Sequence, residues 1–438
     1  MSGRVAGPAG RVAARMARMD TMACGHVALA HRSMLWAHLL GEGDHDAYVR
    51  QLLGDGLSSD YVCKACGELD EVELIAVCEG CVARVTESEL GSVRGWATVK
   101  QRAARISMQR LGSLGAVLAF PGAVAPCRDG WLTVGQNFVV RHHGARGGRE
   151  VATLPPLPEE TDPAATRKAA LALHASRDGS AVALVRDYGR YGVVASTGSG
   201  EVLMHLDRGE HRVDLTRFPC AFAERDSAPV LVAGTDWNRV DAWALPSCRM
   251  LTERGPTRFV RGADRPGHYL DYFHGALRVS PDGTRVVDDG WVWLPVGVPL
   301  LWDLSRWFAG DTWQAEDAAA LQQRNYLWDA PMCWINDDHL ALWGVGDDDA
   351  TVLPGVTLLS LSDGSATCFP GVPRQNFWSD GSHLFVRSEI GMTVWDPFAG
   401  ERVAELVGFH PLSYNPYLDE FLLGDDHGAT DRVRLVVD

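Results

Sequence analysis

Two cysteine pairs carry the strongest chemical signal in the chain: Cys63-Lys64-Ala65-Cys66, then Cys78-Glu79-Gly80-Cys81. Two intervening residues let a tight turn aim both thiolates of a pair at one point. The segment between the pairs is long enough for a hairpin that sets the two turns face to face. Four thiolates then close a tetrahedral shell around Zn2+ and leave no position for water or substrate, so the expected metal is structural. A redox dithiol needs only one such pair near a βαβ pattern, and none is evident. An iron–sulfur cluster also uses four cysteines, but two symmetric pairs around a short hairpin favour zinc. Metal binding would supply on the order of 10 kcal/mol toward folding such a small unit.

The elements that must position these thiolates are short strands. Tyr61-Val62 runs into the first turn, and Glu71 to Val77 reads as a strand into the second. Gly67, just after Cys66, suits the left-handed backbone common where such a turn reverses. The pattern resembles the zinc-ribbon and treble-clef modules, and the resemblance covers the cysteine segment alone. From Asp55 to Glu89 nine acids face only Lys64 and Arg84. A nucleic-acid-reading ribbon should be basic, because phosphate contacts dominate affinity, so protein binding or bracing is the expected role.

Around this module the periodicity predicts helices. His31–Leu40 and Asp46–Leu53 read as two short amphipathic helices, with Tyr48, Val49, Leu52 and Leu53 on one face. Thr86 to Glu89 has the spacing of a capping box, and residues 96–111 read as a helix with Lys100, Arg102, Arg105 and Arg110 and no acids. That basic helix is either an arm for nucleic acid or a solvated connection paired with the acidic module. Residues 1–22 are basic and rich in Ala and Gly, which reads as a disordered tail or sequence upstream of a later start; a transit peptide is the alternative.

The chain has 438 residues and a formal charge of −15, too long for one ordinary core and too acidic for the whole surface to hold a polyanion. No apolar run is long enough for a membrane helix. The six cysteines outside the pairs are scattered singly, which fits reduced thiols in a cytoplasm better than a disulfide framework. Lys64, Lys100 and Lys168 are the only lysines, an arginine bias that looks like a high-GC bacterial coding preference.

From about residue 114 the texture becomes strand and turn. An Asp-containing turn followed by a short apolar strand recurs at Asp129, Asp178, Asp226, Asp282, Asp337, Asp380 and Asp419. The steps of 49, 48, 56, 55, 43 and 39 residues are close to the length of a four-stranded propeller blade. Seven markers imply seven blades. Later strands of each copy are expected at Val240–Leu245, Leu300–Asp303, Val356–Ser360 and Met392–Asp396. The Trp-Asp pairs at 302 and 395 resemble WD-repeat propellers, and Ser280-Pro281-Asp282-Gly283 resembles a turn of many bacterial propellers; no Gly-His opening accompanies them. An open ring exposes two sheet edges, so one blade should be completed from both ends of the repeat region. Leu114–Phe120 is the expected outer strand beside the last blade.

The expected chain is therefore mainly β: a tail over 1–22, a short helical segment over 23–58, the zinc module and connecting helix over 59–113, and a seven-bladed β-propeller over 114–438. No nucleophile elbow, zinc-protease helix or phosphate-gripping loop is present in the sequence. The leading functional expectation is a non-catalytic, cytoplasmic scaffold whose propeller face binds a protein partner. The alternatives are a nucleic-acid-associated protein using the basic 96–111 helix, and a hydrolase or lyase with its site in the propeller channel. His142-His143 and Asp347 to Asp349 are the best remaining titratable clusters, and both read most simply as solvated turns. Most of the 15 tryptophans should fill blade cores, with a few left to form a sticky rim on one face.

Overall fold

The computed structural model describes residues 32–36, 48–52, 59–63, 74–78 and 99–437, apart from 121, 146, 260, 261, 263, 294, 350, 351 and 425–428. The chain divides into two compact units, Met1–Val85 and Thr86–Asp438.

The first unit contains a four-stranded sheet. Its strands are Arg32–Trp36, Tyr48–Leu52, Ser59–Cys63 and Leu74–Cys78. Arg32–Trp36 lies between the two cysteine-ending strands, parallel to Ser59–Cys63 and antiparallel to Leu74–Cys78. Strands thus stand where the spacing predicts short helices at 31–40 and 46–53. Runs this short are ambiguous by periodicity, and pairing within a sheet decides them.

The second unit is a seven-bladed propeller. Six blades are successive antiparallel meanders: 124–153, 170–207, 220–250, 272–325, 332–370 and 377–407. The seventh joins Pro411–Asn415, Glu420–Gly424 and Ala429–Val437 to the outer strand Ile106–Val117, which pairs antiparallel with Ala429–Val437. The expected closure is thus present, but its strand starts earlier than Leu114. Over its described residues, 99–111, the expected 96–111 helix is absent. Lys100–Gln101 instead pairs in parallel with the outer strand of blade 6, and Arg102 reaches Asp396 at 3.4 Å. An unpaired sheet edge in the last blade outweighs the helical spacing of this segment, because only a strand can satisfy that row of backbone groups.

All seven Asp markers fall in the turn between the first and second strands of a blade, so they share one face of the ring. The strands expected at Val240–Leu245, Leu300–Asp303, Val356–Ser360 and Met392–Asp396 are third strands, at Arg239–Ala244, Leu300–Asp303, Leu353–Ser360 and Gly391–Asp396, within three residues of the expected bounds. The core is a circle of layers between blades. Leu132 and Val134 meet Leu184 and Val193 between blades 1 and 2, and Leu384 and Trp395 meet Val356 and Trp343 between blades 5 and 6. Middle strands such as Ala181–Asp187 are covered on both sides and read as unbroken small apolar runs.

The Trp-Asp pairs divide their labour. Trp302 and Trp395 are buried between blades. Asp303 caps the short helix Leu304–Phe308 by accepting from Arg306 N–H at 2.8 Å, and Asp396 accepts from Phe398 and Ala399 N–H. Blades 7 and 1 are stitched by the Asn415 side chain, which donates to the Cys127 and Gly130 carbonyls at 3.0 and 2.7 Å.

Candidate interaction face of the propeller

Strand direction alternates along each blade. The second-to-third-strand turns and the connections between blades therefore share one face, opposite the Asp-marked turns. The longer connections of that face follow blades 1 to 4, at 154–169, 208–219, 251–271 and 321–331, the last running from the outer strand Ala319–Ala320 and including the short strand Arg324–Asn325. Those after blades 5 and 6 are short, so the face is built up on one side.

An aromatic array runs through this raised side. Phe273 stacks on Trp291 with centroids 4.3 Å apart, and Trp291 stacks in turn on Trp328 at 5.0 Å and Trp293 at 5.8 Å. Trp237 packs against Phe273 at 4.7 Å, and His211 stacks on the same ring at 5.7 Å. Phe273 and Trp291 are buried, while Trp293 is 51% exposed and nearby Tyr326 is 63% exposed. The Arg212 guanidinium lies 5.6 Å from the centre of the Trp293 ring. Buried rings thus anchor the exposed Trp293 ring, the arrangement typical of residues that dominate protein interfaces.

Three arginine-centred clusters, buried or half-buried, hold the loops of this raised side. Arg208 is 3% exposed and donates to the Gly189, Val213, Thr216 and Arg217 carbonyls and to the Thr216 hydroxyl, folding residues 208–219 over its guanidinium. Burial lowers its pKa to about 10, so it remains charged at neutral pH. In the second cluster Arg217 bridges Asp329 at 2.8 Å and Asp187 at 3.5 Å, and the Tyr188 hydroxyl donates to Asp329. Burial works against the Arg217 charge, but Asp329, Tyr188 and Asp187 outweigh it and hold its pKa above the usual value. In the third, Arg254 contacts Asp241 at 2.5 Å and Glu316 at 2.6 Å, with all three side chains at most 2% exposed.

Tyr188, Arg212, Tyr326 and Asp329 all have positive φ, between 53° and 55°. A left-handed backbone costs a residue with a Cβ roughly 1–2 kcal/mol. Four such residues on one side of one face mark loops whose shape is imposed by their contacts rather than by local preference.

The acidic run Asp347 to Asp349 lies on the same face in blade 5. Asn325 N–H donates to the Asp347 carbonyl at 2.6 Å, and Arg374 approaches Asp349 at 3.7 Å, so the run is tied to the neighbouring connection. His142 and His143 lie in the third strand of blade 1. His143 is buried against the Thr133 hydroxyl at 2.9 Å, and His142 faces Asp129 on the opposite, Asp-turn face.

Of the four expected zinc ligands, Cys63 and Cys78 end their strands, while Cys66 and Cys81 lie outside the described residues. The register sets Cys78 opposite Arg32, whereas Tyr61 pairs with Leu35 and carries Cys63 toward the Trp36 end. The strands therefore do not form the expected hairpin. Among the described residues, the group able to gather three metal ligands is Cys127, Asp129 and His142.

Sequence reasoning anticipated an aromatic rim without its members. The signal that finds them is position relative to the Asp turns. Trp291-Val292-Trp293 and Tyr326-Leu327-Trp328 each fall nine to eleven residues, about one strand length, from the markers Asp282 and Asp337, which assigns them to the other face.

No protein-family model matches the sequence, and no curated protein matches it. Among solved structures, a chain of the mitotic checkpoint complex aligns over 77% of this chain and 95% of its own, at 11% identity and a TM-score of 0.45. The U3-55K structure aligns over 76% of this chain and 99% of its own, at 13% identity and a TM-score of 0.42. At those values the fold assignment rests on the strand topology itself: seven blade sheets in chain order, five of four strands, one of six in blade 4 and one of five in blade 6, the last blade completed from the front of the unit.

Proposed function

We propose that this protein is an interaction scaffold whose raised propeller face, over blades 2 to 5, binds a protein partner. The observation that supports it is the aromatic array ending in exposed Trp293, beside Arg212, with exposed Tyr326 on the same face and loops pinned by buried charges. Such a surface needs little ordering on binding, and large rigid aromatics with arginine neighbours are the side chains whose removal costs most at interfaces. A cytoplasmic setting remains part of the proposal. Among the described residues no helix is long and apolar enough to cross a membrane.

The test is quantitative capture from the native cell with the full chain and with a Trp293→Ala, Tyr326→Ala variant. Loss of two central aromatics should cost about 2 kcal/mol or more, roughly a 30-fold drop in affinity for the specific partner. An unchanged set and yield of captured proteins would remove the face from the account.

The four-cysteine zinc centre stands as a proposal beside this one, with the module serving as brace or second contact. It requires the Cys63 and Cys78 turns to meet, which the strand register does not by itself provide. Metal analysis decides between the two: about one equivalent of zinc lost on Cys63→Ser or Cys78→Ser supports the shell, and no change removes it.

A further inference from the structure

The first-to-second-strand turn of most blades is closed by a hydrogen bond to its Asp. In blade 2 the Ser176 hydroxyl donates to Asp178 at 2.7 Å, and in blade 4 Ser280 donates to Asp282 at 2.6 Å. Blade 1 departs from this pattern in two ways. Cys127 stands where those blades have serine, with Sγ 3.4 Å from Asp129 Oδ1. His142, from the third strand, adds its Nε2 at 2.9 Å from the same oxygen.

We propose that Cys127, Asp129 and His142 form a metal site for a divalent cation of the zinc class, with three protein ligands and an outward fourth position. The three ligand atoms lie within 4.8 Å of one another. Zn2+ bonds of about 2.0–2.3 Å set the ligand atoms of a tetrahedron roughly 3.2–3.8 Å apart. The sulfur–oxygen spacing already meets that demand, and the oxygen–nitrogen spacing needs to open by a few tenths of an ångström. Asp129 can supply this movement, because its side chain is 66% exposed while that of His142 is 14% exposed. Thiolate, imidazole and carboxylate together suit a borderline cation better than calcium or magnesium, which prefer oxygen alone.

The turn is held ready from both sides. Arg128 N–H donates to the Arg177 carbonyl of blade 2 at 2.7 Å, and Asn415 of blade 7 donates to the carbonyls on either side of Asp129. Position 144 is glycine, where a Cβ would sit 3.1 Å from His142 Cε1, so the imidazole has room to take this pose. Cys127 Sγ is buried and the carboxylate faces solvent, which places the cation at the surface with its open position outward. Binding releases the thiol proton and leaves the chain otherwise unchanged.

Cobalt is the probe. The full chain is stripped with a chelator, titrated with Co2+, and compared with His142→Gln and Asp129→Asn, both at positions not fully buried. Circular dichroism confirms that each variant folds. The expected result is about one equivalent less tight cobalt in each variant than in the wild type, with loss of a tetrahedral absorption component. Cys127→Ser should remove the sulfur-to-cobalt charge-transfer band belonging to this site. The four-cysteine segment is present in every sample, so any cobalt it takes cancels in the difference. Identical stoichiometry and spectra in the wild type, His142→Gln and Asp129→Asn would overturn the site.

Discussion

The indole N–H of Trp328, in the connection between blades 4 and 5, donates to the backbone carbonyl of Leu215, in the connection between blades 2 and 3, at 3.0 Å. Blades 3 and 4 separate these two connections around the ring, so the contact is a chord over the mouth of the channel. Arg217 and Tyr188 reinforce it through Asp329. Loops from different blades thereby become one surface, which is what a preorganised binding face requires.

Asp329→Ala should loosen this chord without unfolding the ring. Arg217 and Tyr188 lose their shared acceptor, and the left-handed backbone at Tyr326 and Asp329 loses its restraint. The expected global cost is about 1–2 kcal/mol for a partly exposed pair. Hydrogen exchange should rise in 208–219 and 326–331 while blade cores stay protected; uniform exchange across the chain would show that no chord exists.

Glu316→Ala attacks the deepest ion pair. Arg254 would keep Asp241 but lose both Glu316 oxygens, at 2.6 and 3.0 Å. Breaking a fully buried pair leaves an uncompensated charge and costs about 3–5 kcal/mol. Urea unfolding should show a shifted midpoint, and a loss under 1 kcal/mol would mean that water reaches the guanidinium.

Asp289 gives a pH signature. Burial raises its pKa from 3.8 to about 7, against the opposing pull of Arg324. A carboxyl with a raised folded pKa binds its proton more tightly in the native state, so stability falls as pH rises between those two values. The wild type should therefore lose up to a few kcal/mol between pH 4 and pH 7 through this group. In Asp289→Asn that component should vanish, and an unchanged pH profile would contradict it.

Ring closure can be cut at its outer strand. A chain beginning at residue 99 keeps Ile106–Val117 and should unfold in one cooperative transition. A chain beginning at residue 118 leaves Ala429–Val437 as a bare edge, and should melt at least several degrees lower or aggregate. Equal melting by calorimetry would show that closure adds nothing.

The fold was legible to the extent that a local signal repeated. Each Asp turn needs only a few residues to declare itself, and seven copies at blade spacing fixed the ring, down to third strands such as Leu300–Asp303. The residues around 100–111 were misread because their pairing partner lies more than 300 positions away: Val433 opposes Arg110 and Val437 opposes Ile106. No local pattern encodes that demand, and arginines on an outer strand look the same as arginines on a helix. The strands at Arg32–Trp36 and Tyr48–Leu52 read as helices for a different reason: runs this short do not separate the two periodicities. The interaction face was only partly visible. Tryptophans advertise burial or binding alike, and only their place relative to the Asp turns separates Trp302 in a core from Trp293 on a rim. The Cys127–Asp129–His142 group was hidden because its third member arrives from a neighbouring strand.

Site-specific photo-crosslinking puts the interaction face to the most direct test. A benzophenone side chain placed at Tyr326 or Trp293 samples the raised face, and one at Phe398, 47% exposed in an opposite-face turn, serves as control. The expected result in the native cell is a discrete covalent adduct with the same protein from both 326 and 293, and none from 398. Adducts of equal yield from all three positions, or none from 326 and 293, would contradict a protein-binding face on this side of the ring.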